Sequence, residues 1–195
     1  MARKSSDERR QEIVQAVLDL IAVEGIQGIT MSRIAAKIGI SEAALYRHFR
    51  SKLDIVHTTI DTVFDQILAL LASAATTGDA PTDVQRVFTA HLRFIERHPG
   101  VARILFSDEI HFNNLALRNE LHSRIAQLLD FIADLLSTGV AAGNLPQDLD
   151  VENAAVLYLG LIQAQVLLWT LEERKYSLTA RADRLWAMYE KAIKK

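Results

Sequence analysis

The sequence predicts an all-α protein. Apolar residues recur at intervals of three and four along most of the chain. Only three prolines and eight glycines interrupt 195 residues, so long helices are not broken often. Half of the residues are hydrophobic, enough for a sizeable core, and β-branched runs are few. We find no strand pattern, no internal repeat and no low-complexity tract.

Each helix has a local cause. A first helix spans about 6–24, with Ile13, Val17, Leu20 and Ile21 on one face, and Gly25-Ile26-Gln27-Gly28 ends it. Thr30 is placed to cap a second, short helix in which Ile34, Ala35 and Ile38 share a face. Gly39 suits the backbone of a tight turn, Ser41 caps a third helix, and Leu45 and Phe49 form its inward side. Ser51-Lys52-Leu53-Asp54 fits a capping box that opens a fourth helix over about 52–74. Leu53, Val56, Ile60, Val63, Phe64, Ile67 and Leu71 keep register along it. Residues 76–81 form the clearest loop. Further helices are expected at about 82–98, stopped by His98-Pro99-Gly100, then at 101–109, 115–141, 151–173 and 178–193. Asp148 or Asp150 would cap the penultimate helix and Ser177 the last.

Residues 30–52 carry the functional signal. Two short helices separated by a tight turn are a helix-turn-helix, which offers its second helix to the major groove of DNA. Successive side chains on a helix rotate by about 100°. With Leu45 and Phe49 inward, Ala43 and Arg47 point outward, and Tyr46 and His48 flank Arg47. The centre of such a face meets base edges and its flanks meet phosphates. Glu42 and Ala43 open the helix, where bases are often touched, although an acid there must accept a hydrogen bond from cytosine. Lys52 sits at a helix N-terminus that already favours an anion.

Composition sets further bounds. Net charge is −2, but residues 1–52 hold nine Lys/Arg against six Asp/Glu, a local +3, and the remainder is −5. Positive charge lies where phosphate would be. The first five residues read as a short basic tail, either disordered or a DNA-reaching arm. Absence of cysteine excludes disulfides and thiolate metal sites. The N-terminus lacks an apolar signal core, and the longest apolar stretch, 154–169, contains Gln163 and Gln165. The expectation is therefore a cytoplasmic protein with access to the nucleoid and no membrane span. Asp108, Glu109 and His111 do not share a helical face, so no metal is expected, and no cofactor. No Gly-x-Ser-x-Gly, phosphate-cradling glycine loop or His-Glu-x-x-His is present, so the chain is not expected to be an enzyme.

The run Ile34-Ala35…Gly39-Ile40-Ser41…Leu45-Tyr46-Arg47-His48-Phe49-Arg50-Ser51-Lys52 resembles the signature of the TetR family of bacterial one-component repressors. The match covers roughly residues 8–56. Ala43 stands where the family often has Gly, and Ile38 where a smaller Ala is common. The resemblance implies an N-terminal three-helix DNA-binding domain at 1–52 and a helical effector-binding and dimerisation domain at 53–195. It implies phosphate contacts for Tyr46 and His48, whereas Arg47 would touch a base or a phosphate. The candidate DNA contacts are Thr30, Ser32, Arg33, Ser41, Glu42, Ala43, Tyr46, Arg47, His48 and Lys52.

The body would dimerise through its last two helices, with Ala154, Leu157, Leu161, Ala164 and Leu168 on one face and Leu185, Met188, Tyr189 and Ile193 on the other; an internal core is the alternative. The resemblance also implies a small-molecule pocket in the body. Its candidate lining is Phe64, Leu68, Phe88, Leu92, Ile95, Phe106, Leu121, Ile125, Leu128, Leu161 and Trp169, any of which could equally be core. Buried polar residues are sharper clues, because each needs a partner. His91, Tyr158 and Gln165 are the candidates for a ligand head group, and a satisfied core histidine is the alternative for His91. The expected function is a homodimeric, ligand-responsive regulator, most simply a repressor released from a palindromic operator by an apolar molecule. The rivals are a ligand-independent architectural or division-associated DNA binder, a ligand-promoted activator, and an all-α enzyme or lipid carrier.

Overall fold

A computed structural model of the chain describes residues 6–194. The basic tail lies outside them. The helices are α1 (Ser6–Glu24), α2 (Met31–Ile38), α3 (Glu42–Tyr46), α4 (Lys52–Ala74), α5 (Ala80–Arg97), α6 (Pro99–Leu105), α7 (Leu115–Ala141), α8 (Val151–Leu171) and α9 (Ala182–Ile193). A π-helical turn, Glu109–Asn113, precedes α7, and a 3-10 turn, Leu178–Arg181, precedes α9. No strand occurs among the described residues.

Several ends fall where the sequence places them. Thr30 accepts from the Arg33 amide at 3.2 Å and Ser41 from the Ala44 amide at 3.2 Å. Gly39 closes α2 at φ +70°, a left-handed conformation that costs glycine nothing. Ser51 accepts from the Asp54 amide at 3.1 Å. Asp54 reaches back one residue further than a standard capping box, to the Arg50 amide at 2.8 Å. Asp150, not Asp148, caps α8, accepting from the Asn153 amide at 3.0 Å.

Other expectations need correction. The short helix after Pro99 starts at the proline itself, because proline at the first helical position lacks only an amide that would be unpaired anyway. Gly100 is not a breaker: a Cβ there would lie 2.4 Å from the Leu18 carbonyl oxygen, so glycine lets α6 pack directly on the α1 backbone. Ser177 does not cap α9; its hydroxyl pairs with Thr179 at 2.9 Å, and the 3-10 turn intervenes. α8 ends at Leu171, where Glu173 and Arg174 adopt φ of 57° and 61°. On length and composition α4 and α8 could each cross a membrane, with mean hydropathies of 1.3 and 1.7. The two glutamines in α8 do not lower its hydropathy enough to prevent this. One of them, Gln165, is buried inside the fold beside Tyr158 and Trp169 on the inward side.

The chain forms two compact units that do not follow chain order. Unit 1 runs to Asp65 and adds His98–His122; unit 2 comprises Gln66–Arg97 and Ser123–Lys195. In unit 1, Ile13, Val17 and Ile21 of α1 are buried with Ile34, Leu45 and Phe49. In unit 2, α5, α8 and α9 pack together around Val84, Phe88, Leu92, Tyr158, Ile162 and Tyr189. The loop entering α5 is tied down by Asp83, which accepts from the amides of Thr76, Thr77 and Gly78 at 2.9–3.0 Å. Burial opposes its ionisation, but these bonds and the Thr77 hydroxyl outweigh that and hold the carboxyl below the usual range.

Candidate nucleic-acid interface

The helix α3 is short because its own backbone closes it. α3 has five residues, and the amides of His48 and Phe49 both fold back on the Leu45 carbonyl, at 2.9 and 3.1 Å. Arg47 is the C-terminal cap and still in the right-handed helical region, whereas His48 lies in the turn beyond, two residues past the helix, where the sequence predicts that the helix continues. The facing nevertheless agrees. Leu45 and Phe49 are fully buried, Ala43 and Arg47 are exposed, and Tyr46 is 51% exposed. Glu42 and Ser41 are exposed at the helix start. His48 and Lys52 are half-buried.

At the start of α2, Thr30 and Ser32 are exposed and their hydroxyls pair at 3.0 Å. Arg33 is exposed too, but it is engaged: it forms an ion pair with Glu24 and donates to the Gly28 carbonyl at 3.3 Å. A Cβ at Gly28 would lie 2.6 Å from that of Glu24, so glycine makes room for the pair. The sequence pattern did not reveal this tie.

Arg10 was also missed. Its guanidinium lies 4.7 Å from the centre of the Phe49 ring and donates to the His48 carbonyl at 3.4 Å. It thus fastens α1 to the turn that ends α3. Nothing in the sequence spacing pairs residues 10 and 49.

In unit 2 the candidate ligand residues divide. Phe88, His91 and Tyr158 come together: His91 Nδ1 and the Tyr158 hydroxyl are 3.1 Å apart, and the Tyr158 ring meets Phe88 edge-on at 5.6 Å. Burial raises the Tyr158 phenol and pushes the His91 imidazole down to about 3, so both are neutral at pH 7. Leu92, Ile95, Leu128, Gln165 and Trp169 are buried, and Leu68, Ile125 and Leu161 are half-buried. The Trp169 indole donates to the Tyr176 carbonyl at 2.8 Å. Phe64, Phe106 and Leu121 belong to unit 1, and Phe106 is 41% exposed at the end of α6.

The neutral histidine has a pH consequence. His91 ionises near 6.5 when unfolded and near 3 when folded, so between these values the unfolded chain holds the extra proton. Its contribution to stability is full above about pH 6.5 and falls with acidification by up to about 1.4 kcal/mol per pH unit. Urea unfolding at pH 7 and pH 5 is expected to show a smaller pH difference in His91→Gln than in the parent chain.

The outward side of α8 is apolar: Val156, Leu157, Leu167, Leu168 and Leu171 are 42–70% exposed, and Ala164 is exposed among them. Ala154 does not belong to it, since it is buried and its carbonyl accepts from the Tyr189 hydroxyl at 3.0 Å. Tyr189 and Ile193 are likewise buried within unit 2, which leaves Met188, at 67%, as the large apolar residue exposed on α9. In α8 apolar residues lie on nearly all sides, so the sequence does not mark Ala154 as inward. In α9, by contrast, the exposed Arg184 and Lys191 lie opposite Tyr189 and Ile193 and mark those two as inward.

Comparison with known proteins settles the family. The family model for bacterial regulatory proteins of the tetR family matches residues 13–59, and that for the C-terminal region of YsiA-like protein matches residues 58–192. The chain belongs to the tetR family. It is a DNA-binding regulator, not an enzyme. The nucleoid occlusion factor SlmA of Vibrio cholerae serotype O1 is 28% identical over 196 residues, covering all of both chains. Among solved structures, the regulator FadR from Bacillus subtilis in complex with stearoyl-CoA superposes with a TM-score of 0.80 at 23% identity, over 92% of this chain and 96% of that one. FadR from Bacillus halodurans gives a TM-score of 0.84 at 20% identity, over 96% of each chain. At those identities the structural likeness shows the tetR-family fold alone. For a tetR-family reader clamped in this way, Arg10→Ala is expected to lower DNA affinity by about 1 kcal/mol, the value of one cation–π contact. Fluorescence anisotropy with a bound DNA fragment measures it.

Proposed function

We propose that the protein is a homodimeric repressor that reads a palindromic operator and is released from it by an apolar small molecule. Residues 1–52 would meet DNA, and residues 53–195 would bind the effector and the second chain. The observation that carries the dimer is α8: 21 residues whose outward side is almost wholly apolar. A soluble helix keeps such a face only when something covers it. A second copy gives two reading helices related by a two-fold axis, matching half-sites about 34–36 Å apart. The acidic remainder of the chain opposes loose binding elsewhere on DNA. The same cover removes the reason to place α8 in a membrane, and a regulator of this kind works in the cytoplasm on the nucleoid.

The effector reading is supported by the FadR structure that holds stearoyl-CoA and by the Phe88, His91 and Tyr158 grouping, where a ligand polar group could replace the histidine–tyrosine bond. α4 is one continuous helix from Lys52 to Ala74, and in this proposal it is the element that the effector would move. A 100-fold loss of operator affinity requires about 2.7 kcal/mol of differential binding, within reach of one buried ligand. A second reading, a division-associated DNA binder with no effector, is favoured by the full-length likeness to nucleoid occlusion factors.

One experiment separates the two. Chromatin immunoprecipitation of the tagged protein is expected to recover a few promoter sites, and stearoyl-CoA to dissociate the complex with such a fragment. Many sites scattered between genes, with binding unchanged by stearoyl-CoA, would support the division-associated reading instead.

A further inference from the structure

The proposed dimer face is flanked by opposite charges on its two sides. Along one flank of α8 lies a groove of about 640 Å³ between α7 and α8, with Leu129 and Val156 in its lining and Asp130, Asp134 and Glu152 beside them. None of these three carboxylates is ion-paired within the chain among the described residues. Along the other flank lies α9, whose Ile193 and Ala192 line a smaller hollow with Leu157 of α8. Val156 and Leu157 are neighbours in sequence, so the apolar face of α8 lies between groove and α9. On α9, Arg184, Met188 and Lys191 form one exposed stripe at i, i+4 and i+7, and both cations are unpaired among the described residues.

This pattern selects between two ways of pairing the α8 faces. A two-fold axis lying across α8 sets groove against groove and α9 against α9, acid facing acid and base facing base. An axis running along α8 sets each α9 against the partner's groove. The geometry points to the second: the α9 stripe of one copy docks in the α7–α8 groove of the other, with Met188 against the apolar lining and Arg184 and Lys191 against Asp130, Asp134 and Glu152. The contact occurs twice and closes the assembly as a dimer, with no open end for further copies. Exposed ion pairs add little affinity, whereas like charges brought together are rejected. The α8 face therefore supplies the affinity, and the charges choose the axis and the partner.

The inference rests on the dimer proposed above, and charge reversal tests it separately. Two full-length variants are made, Asp130→Lys with Asp134→Lys, and Arg184→Glu with Lys191→Glu. All four positions are exposed, so thermal melting near that of the parent is expected. Each variant is expected to self-associate at least about tenfold more weakly than the parent, since both contacts then oppose like charges. Mixed together, they restore one contact as native and the other as its mirror, and native mass spectrometry should show heterodimer well above the statistical half. A dimeric parent whose variants self-associate as it does and mix at random would overturn this docking while leaving the dimer standing. A monomeric parent would overturn the dimer itself.

Discussion

Arginine in place of Ala164 is expected to split the dimer and, with it, operator binding. Ala164 lies exposed on the outward face of α8, surrounded by Leu157, Leu161, Leu167 and Leu168. In a two-fold contact the new guanidinium is buried twice, each time among apolar side chains, at a cost of several kcal/mol per ion. The position does not face its own core, so helicity and the melting temperature should stay near parental values. The monomer keeps one intact reading helix, but it loses the gain in effective concentration that makes the second half-site contact intramolecular. Operator affinity is then expected to drop by about 10²–10⁴-fold. Sedimentation velocity and anisotropy titration check the two halves. A variant that remains dimeric with parental affinity would show that α8 is not the interface.

The second large effect is expected at the reading helix, where two cations should fail in different ways. Arg47 is exposed at the end of α3, next to the half-exposed Tyr46 ring. If it reads a guanine edge, Arg47→Ala costs about 1–3 kcal/mol per half-site and relaxes sequence choice there. Lys52 stands at the start of α4, where backbone amides already favour an anion. Lys52→Ala should weaken binding to every sequence alike and reduce the salt slope by about one per contact. Titration of operator and scrambled fragments at several salt concentrations distinguishes the two. The opposite assignment, with Lys52 selective and Arg47 indifferent to sequence, would mean that α3 enters DNA in another orientation.

Much of the fold was legible in the chain because the signals were local. Thr30, Gly39, Ser41 and Asp150 mark helix ends through bonds within a few residues, and each forms as expected. The starts of α4 and α7 and both their ends agree with the apolar register. What was not legible depends on contacts distant in sequence. Gly100 looks like a breaker until the α1 backbone is seen against it. Arg33 reads as a free cation until Glu24 is found beside it. Arg10 carries no periodic signal at all, yet it fastens the turn that ends α3. Nor does periodicity distinguish Ala154, buried under Tyr189, from Leu157, which faces out. The body is harder to read than the reader for the same reason: α8 is apolar on nearly every side, and the chain alone does not say which side meets itself and which meets a partner.

The most direct test of the central claim, a two-fold pair of α3 helices on a palindrome, is the stoichiometry and sequence of the DNA the protein selects. Sequences should be enriched from random duplexes at low salt and the complex weighed by native mass spectrometry. The expected result is an inverted repeat bound by two chains per site, lost with both Arg47→Ala and Ala164→Arg. A single chain on a site without symmetry, or no enrichment at any salt concentration, would contradict it.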